Sequence, residues 1–241
     1  DLISYTDSST NAYLARFDNI ASQTLDTTFD NGADGVVELG GYTSPQLGIL
    51  STNDIVVGLT DNANSRYYIN KYGENATGSV NATLFNSRNV TELAIDALND
   101  DIYVLTEPFS SPDAIVHRYD SALAVKNFTT DSDNAYDAVD NYTEVSVNAS
   151  YDLAVGTFAD GETRIVTSGY ISTNSAPDSG DYHFLAVHFG SNSAQDGALD
   201  TSFSNVGYGV YRYDANSDTV FDASLLSSGD LMLSGNVATP A

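Results

Sequence analysis

The chain has 241 residues, with 33 Asp and Glu against 8 Lys and Arg, a formal net charge of −25 and no cysteine. That charge repels phosphate backbones and argues against nucleic-acid partners, and the missing cysteine excludes disulfides, thiolate metal sites and a thiol nucleophile. A 41% hydrophobic content is that of a folded chain, and no apolar run approaches the ~18 residues of a membrane-spanning helix.

In chain order, the segments read almost entirely as strands and turns. DLISY (1–5) is a short strand, and YLARFD (13–18) is a second, ending in a basic residue, an aromatic and Asp. TLDTTF (24–29) and the acidic turn DNGADG (30–35) follow. LGILSTNDIVVGL (47–59) is an apolar strand, a polar turn and another strand, which is hairpin chemistry. The same order returns as YINKYG (68–73), SVNATLF (79–85) and LAIDALNDDIYVL (93–105). It returns again as IVHRYD (115–120), ALAVKNF (122–128) and, after the acidic stretch DSDNAYDAVDNYTE (131–144), LAVGTFADGETRIVTSGY (153–170). The last pass is LAVHFG (185–190), ALDTSF (198–203) and ASLLSSGDLMLSG (223–235). No apolar segment keeps a long 3.6-residue period, so very little helix is expected.

Four tandem repeats of about four strands each predict an all-β, β-propeller-type array of four-stranded blades. One small sheet cannot bury both faces alone, and stacked blades bury each other. The repeats fall at about 6–58, 59–105, 106–169 and 170–235 of a single 1–241 domain. The strand copies DLISY, DIVVG, DIYVL, RIVTS and DLMLS number one more than the other elements, so 1–5 is expected to be the last strand of a preceding blade. A surplus strand is expected of a chain cut from a longer array or larger propeller, or of one whose first blade is degenerate.

DGALDTSFSNVGYG (196–209) and YLARFDNIASQTLDTTFDNGADGVV (13–37) carry a family resemblance. The pattern resembles the delta-60 repeat, a β-propeller repeat of bacterial secreted and surface proteins. The first and fourth repeats match it best, and the middle two depart from it at LDTSF. The resemblance implies a propeller fold and an exported setting, and no shared catalytic residues.

Arg16, Lys71, Arg118 and His188 stand at one place in every repeat, just before the aromatic. They are expected to form a structural ion-pair register, with acids such as Asp26 and Asp200 as partners. A ring of cations for an anionic glycan is the functional alternative. Asp30, Asn31 and Asp34 are calcium candidates, since the ion takes six to eight oxygens, although Asp and Gly also simply make turns. No cofactor is required. Sequons at Asn75, Asn81, Asn89, Asn127, Asn141 and Asn148 are expected by chance in so Asn- and Thr-rich a chain. His117, His183 and His188 make no triad-like pattern with Ser and Asp.

Composition and repeats together point to a non-catalytic binding or scaffold module, extracellular, on the cell surface or in the periplasm. Its blade loops would recognise a surface polysaccharide or protein partner. One alternative is a propeller glycoside hydrolase or lyase with two channel carboxylates. The other is a structural subunit of an extracellular assembly.

Overall fold

The structure, a computed structural model, describes residues 2–236 apart from 20, 22–23, 33, 87, 109–113, 129–141, 146–148, 159, 174–179, 191–192, 203–207, 212–218 and 227–230. The first sheet holds β1 (Leu2–Thr6), β2 (Ala12–Asn19), β3 (Thr24–Leu25) and β4 (Val36–Gly40). The second holds β5 (Thr43–Ile49), β6 (Ile55–Asp61), β7 (Arg66–Tyr72) and β8 (Ser79–Asn86). The third holds β9 (Arg88–Asp96), β10 (Asp101–Pro108), β11 (Ala114–Tyr119) and β12 (Tyr142–Val145). The fourth holds β13 (Ala149–Thr157), β14 (Thr163–Thr173), β15 (Gly180–Phe189) and β16 (Tyr208–Tyr211). A two-stranded sheet of β17 (Thr219–Leu225) and β18 (Leu231–Asn236) ends the series. All pairings are antiparallel, and the sole helix among the described residues is a single 3-10 turn at Phe29–Gly32.

The polar turns close hairpins with left-handed residues. Asn53 and Asp100 have φ of 64° and 54° in the β5–β6 and β9–β10 turns, and Gly161 has φ of 83° between β13 and β14. Short polar side chains and glycine tolerate that region best.

The sheets cut the sequence at a different phase from the repeats. A sequence unit such as 59–105 takes the last two strands of the second sheet and the first two of the third. Leu2–Thr6 pair with the strand that follows, from Leu2↔Arg16 to Thr6↔Ala12, in the same sheet. The DLISY, DIVVG, DIYVL, RIVTS and DLMLS copies are β1, β6, β10, β14 and β18, each next to its sheet's basic-aromatic strand where that strand is described.

The core lies between sheets. Along β6, Ile55, Val57 and Leu59 pack with Leu14 and Phe29 of the first sheet, whereas Val56 packs with Val90, Leu93 and Ile102 toward the third. Along β10, Ile102 and Val104 face the second sheet, and Tyr103 and Leu105 face Leu153 and Ile165 of the fourth. Successive side chains of a strand point to opposite faces. A strand buried on both faces must therefore be apolar throughout, which is why IVVGL and IYVL show no alternation. Each such Val, Leu or Ile stabilises the stack by about 1.5–3 kcal/mol. Stacked antiparallel sheets that share their cores with both neighbours make this an all-β, propeller-type array.

Gly48 permits a close approach between the second and third sheets. A Cβ there would stand 2.6 Å from both Ile95 Cγ1 and Leu93 Cδ2.

Candidate functional site

The basic register joins each sheet to the next. Arg16 donates from Nη1 to Glu74 O at 2.7 Å and from Nη2 to Asn75 Oδ1 at 2.9 Å, both in the β7–β8 connection. Lys71 donates from Nζ to Ser121 O at 2.7 Å, in the connection after β11. Arg118 donates from Nη1 to both carboxylate oxygens of Asp196 at 2.7 Å, in the connection after β15. Three times, a cation on one sheet, carried by β2, β7 and β11 in turn, clips the loop that follows the third strand of the next.

Within its own sheet, Arg16 binds Asp26 (Nε to Oδ2, 2.7 Å) and lies 4.9 Å above the Phe29 ring. Arg118 lies 4.8 Å above Phe128 in the same way. The aromatic that closes LDTTF and AVKNF is thus the floor beneath a guanidinium. In the first sheet the LDT element is the end of the short strand β3, with Phe17↔Leu25 paired to β2. Its Asp turns the chain, because Asp26 Oδ1 accepts from both the amide and the hydroxyl of Thr28. Those two bonds, then Arg16, hold the Asp26 carboxyl below its ordinary value.

Cross-strand partners split the register in two. Lys71 and Arg118 stand opposite Val56 and Tyr103, whereas Arg16 and His188 stand opposite Leu2 and Ile165, one place earlier in their strings. Toward the LDT element, Asp26 N donates to Arg16 O, and Asp200 N donates to Val187 O. The His188 side chain itself lies outside the described residues.

The cation for Asp200 comes instead from Arg164, which donates from Nε to Asp200 Oδ2 at 2.6 Å and reaches Asp160 at 2.7 Å and Glu162 at 3.2 Å. Burial works against the Asp200 carboxylate, but the Ser202 hydroxyl and Arg164 outweigh it and lower its pKa. In the third sheet the same two places carry opposite charges: Asp101 starts β10, and Lys126 stands where the LDT aspartate would be. They pair at 2.5 Å. Asp101–Lys126 and Arg164–Asp200 are one ion pair with its signs exchanged. The sequence signal for Arg164 was the exception RIVTS among strands that otherwise begin with Asp.

The calcium candidates hold turns. Asp30 has φ of 57°, and its amide donates to Asn75 O at 3.2 Å. Asp34 Oδ1 accepts the Val36 amide at 3.0 Å. The Asn31 side chain, the acidic stretch 131–141 and the sequons at Asn141 and Asn148 lie outside the described residues.

At the strand ends opposite these clips, a cleft of about 340 Å³ opens between the second and third sheets. Its lining is Thr43, Ser44, Gln46, Thr60, Asn62, Asn89, Val90, Thr91 and Glu107. Two bulges open it. The β5–β6 register shifts between Thr43 and Gln46, and the β9–β10 register shifts at Leu105/Thr106, opposite Thr91. Pro45, which lacks an amide donor, suits the first bulge, and Ser44 takes a φ of 49° there. The Val90 amide donates to Thr60 Oγ1 at 3.0 Å, and Asn62 Nδ2 donates to Thr43 Oγ1 at 3.0 Å. Asn89 Oδ1 is buried and meets no hydrogen-bond donor among the described residues.

No protein-family model and no curated protein matches the chain. Solved structures similar to it include a DUF4623 family protein from Bacteroides eggerthii (TM-score 0.49, 12% identity, 96% of this chain and 52% of that one). The Dos1 propeller is similar at TM-score 0.45 and 12% identity, over 97% of this chain and 51% of that one. The β-propeller domain of the Trilobed protease from Pyrococcus furiosus, described as having an open velcro topology, is similar at TM-score 0.39 and 11% identity, over 98% of this chain and 78% of that one. The chain spans about half the length of the Dos1 propeller.

Proposed function

We propose that this β-propeller-type chain is a non-catalytic binding module of an exported bacterial protein, of the delta-60 repeat kind, and that it holds a surface polymer. The observation that carries the reading is a division of labour among the polar residues. The charged residues common to the sheets are engaged in clips and turns, whereas the cleft between the second and third sheets is lined by hydroxyl and amide groups. Glu107 is the one carboxylate among the described lining residues, and two-carboxylate hydrolysis needs a facing pair. The acidic, cysteine-free composition suits an exported setting.

The test pairs retention with turnover. Immobilised chain is offered purified soluble polysaccharides, and the eluates are assayed for new reducing ends. Retention without cleavage is expected. Cleavage that disappears in Glu107→Gln would overturn the reading in favour of a hydrolase.

A further inference from the structure

The seams inside the stack join two unlike surfaces, the forward face of one sheet and the rear face of the next. In the second sheet the rear face includes Val57 and Leu59, both 0% exposed, which pack with Leu14 and Phe29 of the first sheet. In the fourth sheet the forward face includes Ala154 and Val166, which are buried and pack with Leu231 of β18.

The first sheet presents a rear face of its own. Leu2 packs toward the second sheet, and Ser4 Oγ donates to Pro45 O of β5 at 2.9 Å, so Ile3 and Tyr5 point the other way. Ile3 stands opposite Ala15, and Tyr5 opposite Tyr13. Val57 stands opposite Asn70, and Leu59 opposite Tyr68. Counted back from Arg16 and from Lys71, these are the same two places, so Ile3 and Tyr5 hold the positions of Val57 and Leu59. Each is 39% exposed. Tyr5 lies flat on Tyr13, with ring centroids 5.2 Å apart and planes 17° apart, and this adds a stacked aromatic pair to the apolar face.

The last sheet presents the matching forward face. Leu231 packs back on Ala154, Val166 and Val187, so Met232 points away from the fourth sheet. Met232 stands opposite Ser224, just beyond the bulge at Val220/Asp222. Val166 stands opposite Ala154, at the same distance beyond the bulge at Ser150/Asp152. Val166 is 1% exposed and Met232 is 52% exposed. One end of the stack thus offers the rear half of a seam and the other end the forward half. A methionine thioether also packs favourably against aromatic rings such as Tyr5 and Tyr13.

We infer that the rear face of the first sheet is a docking surface for the last sheet of a second copy of this chain, with Met232 of that copy seated on Ile3, Tyr5 and Tyr13. The packing scheme that joins the sheets within the chain continues between chains. The contact is head-to-tail, so it closes into a ring or runs on as a filament, according to the rotation from one copy to the next. The inference is independent of the polymer-binding reading.

The experiment measures the mass of the full chain by sedimentation over a range of concentrations, at about 0.1 M and about 1 M salt. The mass should rise with concentration, and more steeply at high salt, because copies of net charge −25 repel one another. Tyr5→Glu and Met232→Glu each place a carboxylate in the apolar seam and should weaken association by at least about a hundredfold. Thermal unfolding checks that both variants remain folded. A mixture of the two should form a dimer that grows no further, because one variant keeps an intact tail and the other an intact head. The chain has no cysteine, so Ile3→Cys and Met232→Cys supply a second measurement that stands even if the Glu variants fail to fold. A bis-maleimide should link these two in a mixture and leave each one alone unlinked. A monomer at every concentration and both salts overturns the inference, as does association that both Glu variants leave unchanged or that high salt weakens. Linkage within either Cys variant alone, in preference to the mixture, overturns the head-to-tail arrangement.

Discussion

Arg118 and Asp196 are the sharpest place to test whether charge holds the sheets together. Their side chains are only 5% and 3% exposed, and Nη1 reaches both carboxylate oxygens at 2.7 Å. Nη2 also donates to Asn127 O at 2.6 Å. Burial acts to lower the guanidinium pKa, and Asp196, with help from Tyr103, more than offsets it and leaves it raised. Arg118→Met keeps much of the stem over Phe128 but strands a buried carboxylate, and the expected cost is about 3–5 kcal/mol. Asp196→Ala strands the cation and costs a similar amount. At about 2–4 °C per kcal/mol for a chain of this size, each single change lowers Tm by roughly 6–20 °C. The double variant leaves no uncompensated charge, so it should cost clearly less than the sum, with a coupling of at least about 2 kcal/mol. Urea unfolding of the four proteins provides the cycle. Costs that add within about 0.5 kcal/mol would refute the argument that the pair acts across the seam.

Further predictions follow from the same seams. Arg164→Met should cost about 3 kcal/mol in urea unfolding, because Asp200 loses its cation while buried among polar partners. Gly48→Ala should destabilise by about 1–3 kcal/mol through overpacking against Leu93 and Ile95, read as a lower midpoint with an unchanged slope. The carboxyls of Asp26, Asp160 and Asp200 are all depressed in the folded chain. Their contribution is therefore complete above the unfolded value of about 3.9 and is lost as pH falls through the folded values. Stability measured from pH 6 to pH 2.5 should fall below about pH 4, and Asp200→Asn should flatten that slope. A slope unchanged by that substitution would contradict the assignment.

The strand pattern was legible because doubly buried strands must be apolar along their length and because Asn, Asp and Gly mark the turns. The sheet phase was not. DLISY looks the same whether it closes one sheet or opens another, since sequence does not say which neighbour takes a strand's hydrogen bonds. Arg16 and Arg118 were legible as a register because they precede an aromatic in near-identical strings. His188 satisfies the same string, yet Asp200, the aspartate that the string offers it, takes its cation from Arg164 on the neighbouring strand, which spacing along the chain does not reveal. Asp196, a residue of another sheet, could not be assigned to Arg118 from spacing. The cleft was also out of reach, since it depends on two bulges 47 residues apart, counting from Ser44 to Thr91, falling beside each other.

The exchanged signs of Asp101–Lys126 and Arg164–Asp200 have a consequence for assembly. Repeats this alike invite a growing chain to stack the wrong strand on the wrong sheet. If the third and fourth sheets traded a strand, Asp101 would face Asp200 and Arg164 would face Lys126, like charge against like in a buried place. The correct order brings opposites together at every one of these positions. The signs therefore work as an address written into each sheet, and they tell otherwise similar strands which sheet is theirs.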